Sequence, residues 1–225
     1  DVNRSGASFT VELPENGGRA AVRYALGAIR NVGTEAMSQL VAEREANGEF
    51  ADLTDFLKRL PQAVANKKQM ENLIRAGALD SLHGNRRELL ENVEAILAFA
   101  ETVRQDAQSS QDSLFSGDDA LDKTVHMQPF EDWSGMDRLR EEFESLGLYL
   151  SAHPLDGYAG WLDKLKVITA NDLAAMIESR NLKPRVNLAG SVSAKQVRIS
   201  QRGNKFAFVQ LSLIHISEPT RHCLI

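Results

Sequence analysis

The chain has 225 residues, 43% of them hydrophobic, and a formal net charge of -5. These values are ordinary for a globular chain and exclude the collagen-like, coiled-coil and wholly disordered classes. A single cysteine, Cys223, excludes an internal disulfide framework and a multi-cysteine zinc site, and the five histidines show no metal-ligand spacing. Since no signal peptide opens the chain and no apolar stretch is long enough to span a bilayer, we expect a cytoplasmic location.

The first half of the chain is predicted to be a short strand followed by helices. A strand signal at Phe9 to Val11 precedes a turn between Pro14 and Gly18. Apolar residues then recur at helical spacing in four stretches, which are residues 24–46 (interrupted at 31–33), 53–60, 70–74 and 86–104.

The second half predicts a linker, two helices and a β-hairpin. Residues 106–124 are rich in Ser, Asp, Gln and Gly, which is typical of a linker, and helical spacing returns at 136–150 and 171–179. Residues 186–211 alternate in the manner of two strands around a turn at Arg202-Gly203-Asn204. The hairpin is predicted to belong to a small barrel.

Charge is distributed unevenly along the chain. Residues 58–87 contain seven basic and two acidic side chains, residues 181–210 contain six basic and no acidic ones, and residues 101–144 contain four basic and twelve acidic ones. Both basic stretches are suited to phosphate groups, and an ordinary solvated surface explains them equally well. Any phosphate-binding surface must avoid the acidic middle of the chain.

The segment from Ile29 to Met37, IRNVGTEAM, resembles a helix-hairpin-helix motif. Asn31 and Gly33 are residue types that accept a positive φ, so the turn can direct backbone N–H groups outward at the start of a helix that Thr34 caps. A phosphate oxygen fits at such donors, and Arg30 adds a positive charge. The alternative is that Gly33 is a plain helix C-cap, and this is the preferred interpretation when the motif is considered by itself.

A second segment, Leu73 to Asp80 (LIRAGALD), resembles the first. Gly77 is predicted to end a helix beside the basic Arg75, and a plain C-cap is again the alternative. Tandem copies of the motif would grip a duplex backbone across its minor groove. The candidate contacts are Arg30, Asn31, Gly33, Thr34, Arg75 and Gly77.

The linker contains one hydrophobic pair, Leu114-Phe115. The pentapeptide from Gln111 to Phe115, QDSLF, is similar to the peptide by which bacterial replication proteins bind the sliding clamp. In such a peptide Leu114 and Phe115 enter an apolar pocket and Gln111 forms a hydrogen bond beside it. The alternative is that the pair packs against the protein's own core.

Longer stretches resemble the alpha subunits of bacterial DNA polymerase III, the C-family replicative polymerases, in the order of that family. They are residues 24–33 (YALGAIRNVG), 73–82, 141–156 (EEFESLGLYLSAHPLD) and 202–209 (RGNKFAFV). The last stretch lies in an OB-fold in that family. The resemblance covers nearly all of the chain and indicates a fragment from the C-terminal half of such a polymerase.

The resemblance implies an α+β fold, mainly α. Its parts would be the end of the fingers region, a tandem helix-hairpin-helix domain, a linker with the clamp-binding peptide, a helical connecting region and a truncated OB-fold, at residues 1–23, 24–105, 106–130, 131–180 and 181–212. Residues 213–225 are assigned to a non-native tail, because Leu211 to Arg221 (LSLIHISEPTR) looks like a translated sequencing adapter.

The resemblance also implies a parent DNA-directed DNA polymerase that uses Mg²⁺. Its partners would be duplex DNA, the sliding clamp and the other subunits of the holoenzyme, and single-stranded template would meet the OB-fold at Arg198, Arg202, Lys205 and Phe206. We expect no catalytic residue, metal or cofactor in this fragment, because it has no acidic cluster on a strand that suits two magnesium ions. The fragment should be inactive in isolation.

Two other functions remain open. An error-prone C-family paralogue would share the fold, and a good clamp-binding pentapeptide argues against it. A non-enzymatic scaffold with tandem helix-hairpin-helix motifs is the second, and residues 141–156 argue against it.

Overall fold

The computed structural model describes residues 1–13, 20–110, 124–179, 185–200 and 203–213. The chain forms two compact units, residues 1–150 and the part from Ser151 onward. The first is mainly helical and the second combines short helices with a β-hairpin, which confirms the predicted α+β, mainly α class. The division falls inside the region 131–180 that the sequence treats as one connecting segment.

The first unit opens with a two-stranded antiparallel ribbon. Strand β1 (Thr10–Glu12) pairs with β2 (Ala21–Arg23), with Val11 opposite Val22. An ion pair between Glu12 and Arg23 joins the strands. The strand predicted near Phe9 is therefore confirmed, and the turn predicted at Pro14 to Gly18 lies outside the described residues.

Five helices of 6 to 18 residues follow the ribbon in the described part of this unit before residue 111. After a 3-10 turn at Leu26–Ala28 they are α1 (Thr34–Asn47), α2 (Leu53–Lys58), α3 (Lys67–Arg75), α4 (Arg86–Glu91) and α5 (Val93–Ser110). Asp52, Asn66 and Asn85 begin α2, α3 and α4, and each side chain accepts an N–H from the first turn of its helix. The helical run predicted at 86–104 is thus two helices, which meet at Asn92.

The core of the first unit is one apolar cluster between these helices. Its fully buried side chains include Met37, Leu40, Phe56, Met70, Leu73, Ile74 and Ile96. Helix α6 (Gly135–Leu146) packs on α3 and adds Leu146 to the cluster. The segment before α6 is attached by Asn92, whose side chain donates to the carbonyl oxygen of Gln128 and accepts its N–H, both at 2.8 Å.

The second unit contains α7 (Ala159–Lys164), α8 (Ala170–Glu178) and a hairpin of β3 (Gly190–Ile199) with β4 (Lys205–Leu213). Thr169 and Asp172 form a reciprocal capping box at the start of α8. The predicted hairpin is confirmed, with Gly203 at φ 79° in its turn. Helix α7 was not predicted, because it has only six residues and contains Gly160.

Candidate nucleic-acid interface

The first hairpin turn presents an exposed stretch of backbone ahead of α1. Asn31 has φ 59°, so the predicted left-handed conformation is confirmed there. The prediction was wrong for Gly33, which is extended (φ -79°, ψ 130°) and is itself the residue before α1, while Thr34 is the first helical residue and caps nothing. Asn31, Gly33 and Thr34 are all exposed.

The start of α3 lies beside this turn. The Gly33 N–H donates to Oε1 of Gln69 at 3.1 Å, and Nε2 of Gln69 donates to the carbonyl oxygen of Ala63 at 2.9 Å. Gln69 therefore fixes the distance between the starts of α1 and α3. Lys68, its neighbour, is exposed and has no ion pair within the described parts of the chain. Sequence reasoning missed Gln69, whose partner is 36 residues away.

Arg30 faces α6 through both its backbone and its side chain. Its N–H donates to the carbonyl oxygen of Ser145 at 2.9 Å, and Nη1 of its guanidinium donates to that of Glu144 at 2.8 Å. Gly147 ends α6 in the left-handed conformation, and a Cβ atom built on it would lie 3.0 Å from Nη2 of this guanidinium. The charge of Arg30 thus lies at the negative end of the α6 dipole.

These contacts complete the hydrogen bonding at the C-terminal end of α6. The last four carbonyl groups of a helix have no partner inside it. In α6 the carbonyl oxygen of Phe143 accepts the Gly147 N–H at 2.8 Å, and that of Leu146 lies 3.5 Å from the Tyr24 hydroxyl, which donates to it. Tyr24, Arg30 and Gly147 therefore supply hydrogen-bond donors to all four of the last carbonyl groups of α6.

The second hairpin turn is a Schellman C-cap of α3. The Gly77 N–H donates to the carbonyl oxygen of Ile74 at 3.0 Å, and the Ala78 N–H donates to that of Leu73 at 2.9 Å, with Gly77 at φ 73°. A Cβ atom at Gly77 would overlap the guanidinium of Arg86. Gly77 therefore ends the helix as predicted, and the basic side chain against it is Arg86.

Arg86 is buried and fully engaged. Its Nε and Nη2 donate to the two carboxylate oxygens of Asp80 at 2.8 and 2.6 Å, and its Nη1 donates to the carbonyl oxygen of Arg75 at 3.1 Å. The carboxylate of Glu142, also buried, lies 3.7 Å from Nη1. Sequence reasoning missed Arg86 because arginine is usually exposed; the available signal was its helical spacing to the buried Leu89 and Val93.

Arg75 lies between two carboxylates of α6. Its Nη1 is 3.1 Å from Oε2 of Glu141 and 3.5 Å from Oε2 of Glu144. Burial raises the pKa of Glu141 above its ordinary value, and the nearby Arg75 opposes that rise. Arg75 and Gly77 are both partly buried in this arrangement.

The remaining predicted contacts lie in the second unit or outside the described residues. On the β-hairpin, Arg198 lies opposite Phe206, its guanidinium is 5.7 Å from the centre of the Phe208 ring, and Lys205 is the first residue of β4. Phe206 and Phe208 form an edge-to-face pair with centroids 5.5 Å apart. Arg202 and the pentapeptide residues Gln111, Leu114 and Phe115 lie outside the described residues.

Residues 1–13, 20–110, 124–179, 185–200 and 203–213 contain no group of three or more His, Cys, Asp or Glu side chains placed to hold a metal ion. Over the same residues, every helix is too short or too polar to cross a bilayer.

A comparison with known protein families indicates the class of structure to which the first unit is similar. A family model described as a helix-hairpin-helix motif matches residues 1–89, which span both turns. Residues 1–89 of the chain therefore resemble a helix-hairpin-helix region.

The relatives specify the protein more closely. The chain is 41% identical over 212 residues to the DNA polymerase III subunit alpha of Caulobacter vibrioides and 36% identical over 215 residues to that of Thermus aquaticus. It is 35% identical over 213 residues to the subunit of Neisseria meningitidis serogroup B, and each match covers 94% of this chain. The chain is thus related, along nearly all its length, to DNA polymerase III alpha subunits, which confirms the resemblance seen in the sequence. It spans 16–18% of the length of these relatives.

Proposed function

We propose that the chain is the duplex-binding and clamp-tethering part of a replicative DNA polymerase. The observation that carries the proposal is its identity of 35–41% with one segment of DNA polymerase III alpha subunits, over 94% of its residues. The parent enzyme would extend a primer in the bacterial cytoplasm with Mg²⁺, whose two ions stabilise the attacking and leaving oxygens. This segment would contribute processivity, and the other holoenzyme subunits would be its partners.

Duplex binding is assigned to the first hairpin turn. Asn31, Gly33 and Thr34 are exposed together at the start of α1, and Lys68 lies in the adjoining first turn of α3. The Gly33 N–H is taken by Gln69, so the N–H donors left for a phosphate are those of the first turn of α1, with Lys68 nearby. Such donors read no base. Arg30, Arg75 and Gly77 contact other parts of the protein, and their role is considered below.

An amide-to-acid substitution tests this assignment. Asn31→Asp keeps the size of the side chain and tolerates a positive φ, but it places a negative charge where the phosphate would lie. We expect the affinity for a blunt DNA duplex, measured by fluorescence anisotropy at 50 mM salt, to fall about tenfold, roughly 1.4 kcal/mol. The exposed Gln39→Glu on α1 makes the same change of charge and should lose less than about threefold. Equal losses in the two variants would show that the turn does not contact phosphate.

Clamp tethering is assigned to Gln111, Leu114 and Phe115. Support comes from the resemblance of the pentapeptide and from the attachment of the chain on both sides of it. Helix α5 precedes it, and Val125 and Met127 after it pack against the same core. A clamp bound there would raise the effective concentration of the helix-hairpin-helix region at the primer end.

The clamp assignment predicts the effect of removing the apolar pair. The double variant Leu114→Ala, Phe115→Ala should bind a purified bacterial sliding clamp at least roughly 30-fold more weakly, because buried apolar anchors carry most of the energy of such a peptide. Surface plasmon resonance measures this, with Ser113→Ala, Ser116→Ala as the control in the same peptide. Undiminished binding by the Leu114 and Phe115 variant would remove the assignment.

A further contact with single-stranded template is proposed for the β-hairpin. Arg198, Arg202, Lys205 and Phe206 would supply charge and a stacking surface. Its support is the exposed aromatic pair of Phe206 and Phe208 beside Arg198.

A further inference from the structure

We propose that Arg30 and Arg75 are positioning residues, which clasp the end of α6 to both hairpin turns and contact no phosphate themselves. The inference rests on the proposed duplex binding and concerns which residues perform it. In this arrangement α6 connects the two turns, and the residues that contact the duplex are those of the Asn31–Thr34 turn and Lys68.

The first step of the argument is the hydrogen bonding of Arg30. Its guanidinium and its N–H donate to two adjacent carbonyl groups, those of Glu144 and Ser145, at 2.8 and 2.9 Å. A phosphate that took the Nη1 donor would leave the Glu144 carbonyl at the end of α6 without its protein donor. The backbone bond of Arg30 would also hold the arginine against α6, because the N–H cannot move away while the turn keeps its conformation.

The second step is the charge around Arg75. Its Nη1 is 3.1 Å from Glu141 and 3.5 Å from Glu144, so two carboxylates occupy the positions that a phosphate would take. A phosphate brought there would meet like charges at close range, which is unfavourable. The acidic face of α6 therefore excludes DNA backbone from Arg75 as long as α6 is in place.

The third step is that further arginines, besides Arg30 and Arg75, hold α6 in place. Arg86 joins Asp80, next to the second turn, to the buried Glu142 of α6. Arg138, also on α6, donates to Asp80 at 2.8 Å. Arg30 fixes the first turn and Arg75, Arg86 and Arg138 fix the second, so the spacing between the turns is set through one helix.

The consequence for duplex binding is indirect. Removing the contacts of Arg30 or Arg75 with α6 should lower the affinity for duplex DNA, because the two turns can then move apart. It should leave the number of phosphate contacts unchanged. The slope of log affinity against log salt counts these contacts, because each neutralised phosphate contributes roughly -0.9 to it. Affinity and slope together separate a positioning residue from a contact residue.

The experiment measures duplex affinity of the whole chain between 50 and 200 mM salt. For Arg75→Gln we expect an affinity at least fivefold lower with an unchanged slope, and for the control Lys68→Gln a slope that is shallower by about 1. Arg30→Gln and Arg30→Met both lose the Nη1 donor to the Glu144 carbonyl and should lose affinity at constant slope. Charge reversal in Arg75→Glu, Glu141→Arg should recover most of the affinity lost in Arg75→Glu alone.

Two results would overturn the inference while duplex binding by the turn stands. One is a slope shallower by about 1 in both Arg75→Gln and Arg30→Gln, and the other is no recovery in the charge-reversed pair. If the unsubstituted chain binds no duplex, the proposed function fails and takes this inference with it.

Discussion

Gly77 carries the tightest steric requirement that the structure shows at the second turn. A side chain at φ 73° is unfavourable by about 1–2 kcal/mol, and the new Cβ would also displace the Arg86 guanidinium from Asp80. Separating the buried Arg86 from the partly exposed Asp80 adds to this penalty, so Gly77→Ala should lower the free energy of unfolding in urea by more than about 1–2 kcal/mol.

Gly84 provides the matched control for this substitution. It is exposed, and a Cβ atom built there meets no other atom within 4 Å. Gly84→Ala should change the free energy of unfolding by less than about 0.5 kcal/mol. Equal effects of the two substitutions would contradict the packing of Gly77 on Arg86.

At the scale of the element, the stability of α6 depends on pH through Glu141. Burial raises the pKa of Glu141 above the ordinary value of 4.5, so the folded chain binds this proton more tightly than the unfolded chain does. The free energy of unfolding contributed by Glu141 therefore falls as pH rises from its unfolded pKa through its folded pKa.

Glu141→Gln removes this titration. The stability of the variant relative to the unsubstituted chain should increase as pH rises above 4.5, and then level off once Glu141 is ionised in both states. Urea unfolding at a series of pH values measures the difference. A difference that does not change with pH would contradict burial as the cause.

Helix boundaries show what the local sequence can determine. Helical spacing located α1, α3, α6 and α8 within a few residues. The break at Asn92 was missed because apolar spacing continues across it. Asn92 also forms a tertiary contact at this break, a pair of hydrogen bonds with Gln128, 36 residues away.

The candidate site was predictable only in part for the same reason. The sequence placed both turns correctly and assigned Arg30 and Arg75 to phosphate on the basis of their neighbours. It gave no sign that α6 would supply acceptors for both, since those acceptors are 114 and 69 residues away. The left-handed Asn31 was predictable from its residue type, whereas the extended Gly33 follows from its bond to Gln69.

At the scale of the molecule, the division after Leu150 predicts where the chain can be shortened. Residues 1–150 form one compact unit that keeps α6 together with Arg30, Arg75 and Arg86. A chain that ends after Leu150 should therefore retain the urea midpoint of the helical transition, measured by circular dichroism, within about 0.3 M.

A chain that ends after Trp133 is the comparison for this truncation. It lacks α6, so Arg86 loses Glu142 and Arg75 loses both of its carboxylates. Its midpoint should fall by at least about 1 M, because buried charges are left without partners. Similar midpoints for the two truncated chains would show that α6 is not integral to the first unit.

The capping of α6 by a segment more than a hundred residues earlier also sets an order of events during synthesis. Ribosomes add about 5–20 residues per second, so Glu144 is made about 6 to 23 s after Arg30, with which it pairs across 114 positions. Helices α1 to α5 have ample time to pack in that interval, since individual helices form in microseconds. During this interval Arg30, Arg75 and Arg86 of the nascent helix-hairpin-helix region lack their partners on α6, and they gain them once α6 has been synthesised and packs against the region.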